Sequence, residues 1–138
     1  MSDDFFGPEH VKRYQETDGE VGYYWREERA PILLLTVEGR KSGKEYTTPL
    51  IFGEDGGNYV IVASQGGTPD HPDWYKNLSK TAEVGVQVKA DKFRAHARTA
   101  EGDERERLWK QMNGIWPHYD EYQTKTDRTI PVVVLERE

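Results

Sequence analysis

Gly39-Arg40-Lys41-Ser42-Gly43-Lys44 sets three cations and a hydroxyl in a glycine-bounded loop. Glycine lets backbone N–H groups turn towards a ligand, and Arg and Lys neutralise phosphate charge, so the loop suits an anion. A solvated hairpin turn is the alternative reading of the same residues. It is no Walker loop: the spacing fails, and Glu45 stands where that motif needs Ser or Thr. In a chain of formal net charge −6, such a cluster of cations carries extra weight.

Three further segments have chemical potential. Ser64-Gln65-Gly66-Gly67 follows an apolar run and offers backbone donors with close approach to a planar ligand; a permissive loop is the plainer account. Pro72 to Asn77 reads as a helix start, whose partial positive charge favours anions. Trp74 and Leu78, four apart, share a face there, so at least one of Trp74 and Tyr75 is expected in the core. Trp116, Tyr119 and Tyr122 recur every three residues, an aromatic stripe that either packs inward or lines an apolar pocket for a flat substrate. If the stripe lines a pocket and a proton donor is needed there, Tyr119 is the natural one.

Other chemistries lack their residues. The four histidines show no metal-ligand spacing, so no metal site is expected. No Gly-x-Ser-x-Gly elbow exists. There is no cysteine, which removes disulfides, thiolate metal sites and cysteine nucleophiles. The acidic balance argues against a nucleic-acid partner, because Lys and Arg supply the affinity for phosphate backbones. The acidic start Met1 to Phe6 has no apolar run of a signal peptide, and no stretch nears the ~20 apolar residues of a membrane span. A cytoplasmic location follows as the expectation. Peripheral membrane contact and a homodimer are left open.

These candidates need a scaffold, and 138 residues suffice for one enclosed core. Residues 8–17 read as a short helix broken by Asp18 to Gly22. Ile32 to Val37 is a continuous apolar run of strand length, buried on both faces. Thr47 to Gly53 and Tyr59 to Ala63 read as strands joined by the hairpin signal Asp55-Gly56-Gly57-Asn58. His71 to Lys80 reads as a helix with Pro72 at its first position. Val84, Val86, Val88 and then Phe93, Ala95, Ala97 alternate with small or polar residues, predicting two paired strands. Glu101 to Met112 is helical in pattern, punctuated by Gly114, and Trp116 to Thr124 predicts a second short helix. Val132 to Leu135 closes the chain as a central strand. Short connections favour antiparallel pairing, hence an α+β fold with a closed or half-closed sheet of about six strands and flanking short helices.

Taken together, these residues resemble the deazaflavin-dependent nitroreductase family. The resemblance is carried by Leu33-Leu34-Leu35-Thr36, Gly39 to Gly43, Pro49-Leu50, Ala63-Ser64, Gly66-Gly67, His71-Pro72, Trp74-Tyr75 and Asn77-Leu78. It resumes at Tyr119, Tyr122-Gln123 and Thr126 to Val134. It covers roughly residues 30–136, in order and at similar spacing.

That resemblance implies a split β-barrel over residues 30–136 of a single 1–138 domain, with 1–29 as an N-terminal helical segment. It implies coenzyme F-420 as cofactor, with flavin mononucleotide (FMN) as the alternative on the same barrel. Its phosphate-bearing tail is expected near Arg40, Lys41 and Ser42. The ring is expected along Thr48, Pro49 and Leu50, with Ser64, Gln65, Trp74, Tyr75 and Asn77 nearby. Trp116, Tyr119, Tyr122 and Ile51 are expected on the acceptor side. The implied activity is hydride transfer from reduced F-420 to a quinone, with nitroaromatics second and a non-catalytic F-420 carrier or sensor as the alternative. Three positions depart from the pattern. Tyr46 and Gln65 stand where cations are common, implying weaker tail binding, and Ile51 stands where some members carry Tyr.

Overall fold

The computed structural model describes residues 8–25 and 29–138. Its strands are β1 (Tyr24–Trp25), β2 (Ala30–Glu38), β3 (Glu45–Asp55), β4 (Asn58–Val62), β5 (Glu83–Val88), β6 (Asp91–Thr99) and β7 (Val132–Arg137). The helices are α1 (Pro8–Thr17), α2 (Asp73–Lys80), α3 (Gly102–Ile115) and α4 (His118–Thr124), with a 3-10 turn at Gln65–Gly67. The sheet runs β1-β2-β3-β4-β7-β6-β5, and β5 returns to pair with β2. Every pairing is antiparallel, so β2 to β7 close into a six-stranded barrel, as the sequence implies.

Period-two alternation distributes side chains between two cores. Leu33, Leu35, Val37, Ile61, Val86, Val133 and Leu135 point into the barrel. Val60, Val62, Val132 and Val134 point outward and are covered by Leu108 and Met112 of α3 with Trp116 and Tyr119. The outward Ile32 and Leu34 are covered by Tyr14 of α1, whose hydroxyl donates to the Ile32 carbonyl (2.9 Å) and accepts from the Lys89 N–H (2.7 Å). This explains the unbroken apolar run of β2: both of its faces are buried.

The barrel is incompletely sealed. β3 pairs with β2 from Glu45 to Ile51 but with β4 only from Phe52 to Asp55. The stretch 45–51 therefore has one neighbouring strand, and Pro49 lies on it, consistent with the confinement of proline to sheet edges. The chain leaving β4 passes through the 3-10 turn into α2, which inserts Trp74 and Leu78 into the barrel core beside this edge.

Three local expectations need correction. Pro72 caps α2 (ψ 150°) and is not its first helical residue; the helix begins at Asp73. Gly114 does not end α3, which continues to Ile115. Trp116 lies outside α4, because the residue before a proline is pushed out of the helical region; its φ is −133° and Pro117 caps the helix. Among the described residues, no helix is long and apolar enough to cross a membrane.

Candidate active site

Two cavities open beside the unsealed edge of β3 and share a wall made by Thr48, Asp73 and Trp74. The first, about 470 Å³, is lined by the cationic loop (Arg40, Lys41, Ser42), Tyr46 and Asn77. The second, about 480 Å³, lies along Pro49, Leu50 and Ile51, between the Ser64–Gly66 turn and the rings of Trp25, Trp116, Tyr119 and Tyr122.

The cationic loop is held in one shape. The Gly39 N–H donates to the Lys44 carbonyl (2.7 Å), and the Gly43 N–H to the Gly39 carbonyl (2.9 Å), with Gly43 at φ 73°. The Asn77 side-chain oxygen accepts from both the Arg40 backbone N–H (3.1 Å) and its Nη1 (2.8 Å). The other terminal nitrogen of Arg40 lies 3.5 Å from the Asp73 carboxylate. Lys80 donates to the Arg40 carbonyl (2.9 Å). Asn77 is thus buried against the loop, and its visible work is to aim Arg40. Tyr46, 49% exposed, brings its hydroxyl to 3.3 Å from Ser42 Oγ.

The second cavity is shaped by backbone that ordinary residues avoid. Gln65, Gly66 and Gly67 all take positive φ (45°, 66° and 81°). Nothing lies within 4 Å of where a Gly66 Cβ would be, whereas a Gly67 Cβ would meet the Tyr122 carbonyl oxygen at 2.5 Å. Gly67 therefore permits α4 to approach the turn, and Gly66 faces open space. Arg128 fixes the turn from behind, donating to the carbonyls of Ala63 (3.2 Å), Ser64 (2.6 Å) and Thr68 (2.8 Å). It also meets His71 Nδ1 at 3.0 Å. A guanidinium cannot accept, so that nitrogen does, which fixes the imidazole tautomer. Burial first, then the charge of Arg128, holds the His71 pKa below its ordinary value.

The aromatic wall comes from α4, from Trp116 two residues before it and from Trp25 of β1. Trp116 donates its indole N–H to the Tyr122 hydroxyl (3.3 Å), and its ring stacks on Trp25 at 5.4 Å. Tyr119 is 3% exposed, and burial raises its pKa above the ordinary tyrosine value, with Tyr122 adding a smaller effect in the same direction. Asp120 locks α4 to α3 by accepting from Trp109 Nε1 (2.7 Å) and Asn113 Nδ2 (3.0 Å).

Of the site residues read from the sequence, Arg40, Lys41, Ser42 and Asn77 come together in the first cavity. Pro49, Leu50, Ile51, Ser64, Gln65, Trp116, Tyr119 and Tyr122 meet in the second, and Thr48 and Trp74 border both. Trp74 is core residue and cavity wall at once. Tyr75 lines neither: its hydroxyl pairs with Thr99 (2.9 Å) and its ring lies against His71. Trp25 and Asp73, which also line the cavities, carry no signal that singles them out in the sequence. Arg128 entered only within a longer run, and no local signal announces that its guanidinium would meet carbonyls some sixty residues upstream.

Comparison with known proteins bears on the family and on the fold. The family described as F420H(2)-dependent quinone reductase matches residues 7–137. An F420H(2)-dependent quinone reductase of Mycobacterium tuberculosis (strain H37Rv) is 39% identical over 132 residues, covering 93% of this chain and 87% of the relative. A solved F420-H2 dependent reductase (FDR-A) superposes with a TM-score of 0.72 at 48% identity, over 77% of this chain and 94% of its own. A second solved structure, described as a domain-swapped dimer, gives a TM-score of 0.75 at 44% identity over 93% of this chain and 95% of its own.

Proposed function

The chain belongs to the F420H(2)-dependent quinone reductase family, and we propose that it carries hydride from reduced coenzyme F-420 to a quinone across the junction of its two cavities. The observation that carries this reading is the shared wall: a cationic cavity and an aromatic one meet at Thr48, Asp73 and Trp74.

The residues fit the cofactor. Arg40, Lys41 and Ser42 supply two cations and a hydroxyl for a phosphate. Thr48, Pro49, Leu50 and Trp74 give an apolar edge for a flat ring, and the open space at Gly66 lets it approach the Ser64–Gln65 backbone. When bound, reduced F-420 supplies the hydride.

The chain's own task is to orient and to protonate. Trp116, Tyr122 and Ile51 confine a flat acceptor and exclude water. Tyr119, kept neutral by its raised pKa, donates a hydrogen bond to an acceptor oxygen and delivers the proton that oxygen needs as hydride arrives. Solvent then restores the phenol proton. A nitroaromatic meets the same requirement of flatness and is the second acceptor class. A homodimer is the proposed assembly, supported by the dimeric relative.

Fluorescence titration with F-420, run beside FMN, tests the cofactor, followed by quinone-dependent oxidation of the reduced cofactor. Saturable F-420 binding weakened by Arg40→Ala and Lys41→Ala, with turnover, is the expected result. Preference for FMN overturns the cofactor, and tight F-420 binding without turnover makes the chain a carrier.

A further inference from the structure

The wall between the cavities carries a carboxylate beside the cationic loop. Asp73 borders both cavities, and its side chain is 84% exposed. Its carboxylate stands 3.5 Å from Arg40 Nη2, while Nη1 of the same guanidinium is held by Asn77 at 2.8 Å. The terminal Arg40 nitrogen not committed to Asn77 is therefore already facing an anion that belongs to the protein. A phosphate that uses this nitrogen must share it with the carboxylate, which brings like charges together, or displace the carboxylate, which forfeits the Arg40–Asp73 contact. Lys41 is the other cation among the described residues that line this cavity.

We propose that Asp73 sets the affinity for the phosphate-bearing cofactor, weakening its hold so that the oxidised form leaves after each turnover. This rests on the reading that the cofactor's phosphate occupies the first cavity. Each cofactor molecule carries one hydride, and the second cavity is needed for the acceptor. A site of this design works by exchanging the spent cofactor for a reduced one. Asp73 is a tuning residue in this scheme; it takes no part in hydride or proton transfer.

The test titrates wild type, Asp73→Asn and Asp73→Glu with two fluorescent ligands: F-420, and the deazaflavin riboside that lacks the phosphate and everything beyond it. Asp73→Asn is expected to tighten F-420 binding by about two- to fivefold, the range of an exposed charge contact. That gain should shrink as salt is raised. Riboside affinity should stay unchanged, and Asp73→Glu should restore wild-type behaviour towards both ligands. Stopped-flow displacement should place the gain in a slower F-420 off-rate. Unchanged or weaker F-420 binding in Asp73→Asn overturns the proposal, and so does equal tightening of the riboside, which has no phosphate to repel. If wild type binds neither ligand, the functional reading falls first and this inference falls with it.

Discussion

The guanidinium of Arg128 donates to the carbonyl of Ser64 at 2.6 Å, linking the loop before β7 to the turn that walls the second cavity. With the carbonyls of Ala63 and Thr68 also on Arg128, three backbone acceptors of one strained turn depend on a single side chain. Replacing Arg128 by Met should therefore leave several carbonyls without donors. A loss of about 2–4 kcal/mol in chemical denaturation is expected, together with weaker cofactor binding. Arg128→Lys should recover only part of both, because an ammonium cannot match the planar fork. Full recovery by Lys would show that charge alone is needed.

The glycines of the same turn should respond unequally. Gly66→Ala strains a positive φ in open space, a cost of about 1 kcal/mol. Gly67→Ala adds a collision with the Tyr122 backbone at 2.5 Å and should cost more than about 2 kcal/mol. It should also displace α4 and lower acceptor affinity. Thermal melts and KM for a quinone read the two effects; equal melts for both variants would contradict the close approach.

Tyr119→Phe should slow turnover by roughly ten- to a hundredfold, the lower range for loss of a positioned acid. F-420 affinity should not change, since the aromatic ring remains. Because burial raises the pKa of Tyr119, its neutral form persists above the usual tyrosine range. The rate should accordingly show no decline attributable to Tyr119 up to about pH 10, the model-peptide tyrosine value. A falling limb below that pH, absent in Tyr119→Phe, would contradict the assignment.

Tyr14 offers a stability test with a definite sign. Burial pushes its pKa up to about 12, above its unfolded value, so the folded state holds the phenol proton more tightly. That contribution is full below the unfolded pKa and is lost as pH rises through the folded one, so stability should fall between about pH 10 and 12. In Tyr14→Phe the alkaline decline should be shallower. The same change leaves the Lys89 N–H without its acceptor and should cost about 1–3 kcal/mol at neutral pH. Urea titrations at several pH values measure both.

The barrel was readable because its signals are local. Alternation in Val84 to Val88, the apolar run of β2 and the Gly56-Gly57 hairpin each follow from a few adjacent residues. The cationic loop was readable for the same reason, since its cations and glycines are contiguous. The relations that define the site are of another kind. Arg128 reaches residues 63, 64, 68 and 71, Asn77 aims Arg40, and Trp25 stacks on Trp116, all across long stretches of chain. Periodicity carries no record of such pairs. Trp116, Tyr119 and Tyr122 were grouped correctly for an incomplete reason: their convergence needs the break at Pro117 as well as helical spacing.

Between Glu45 and Ile51, β3 has a strand on one side only. In a sealed barrel every main-chain group is consumed by a neighbour, and recognition falls to side chains, which any substitution can rewrite. An unsealed stretch also presents peptide groups, an array set by backbone spacing and interrupted here at Pro49, which has no N–H. Side chains such as Ile51 and Tyr46 can then be exchanged while the backbone of the cavity lip stays as it is. Leaving the barrel open on one edge separates what a substitution alters from what it leaves in place.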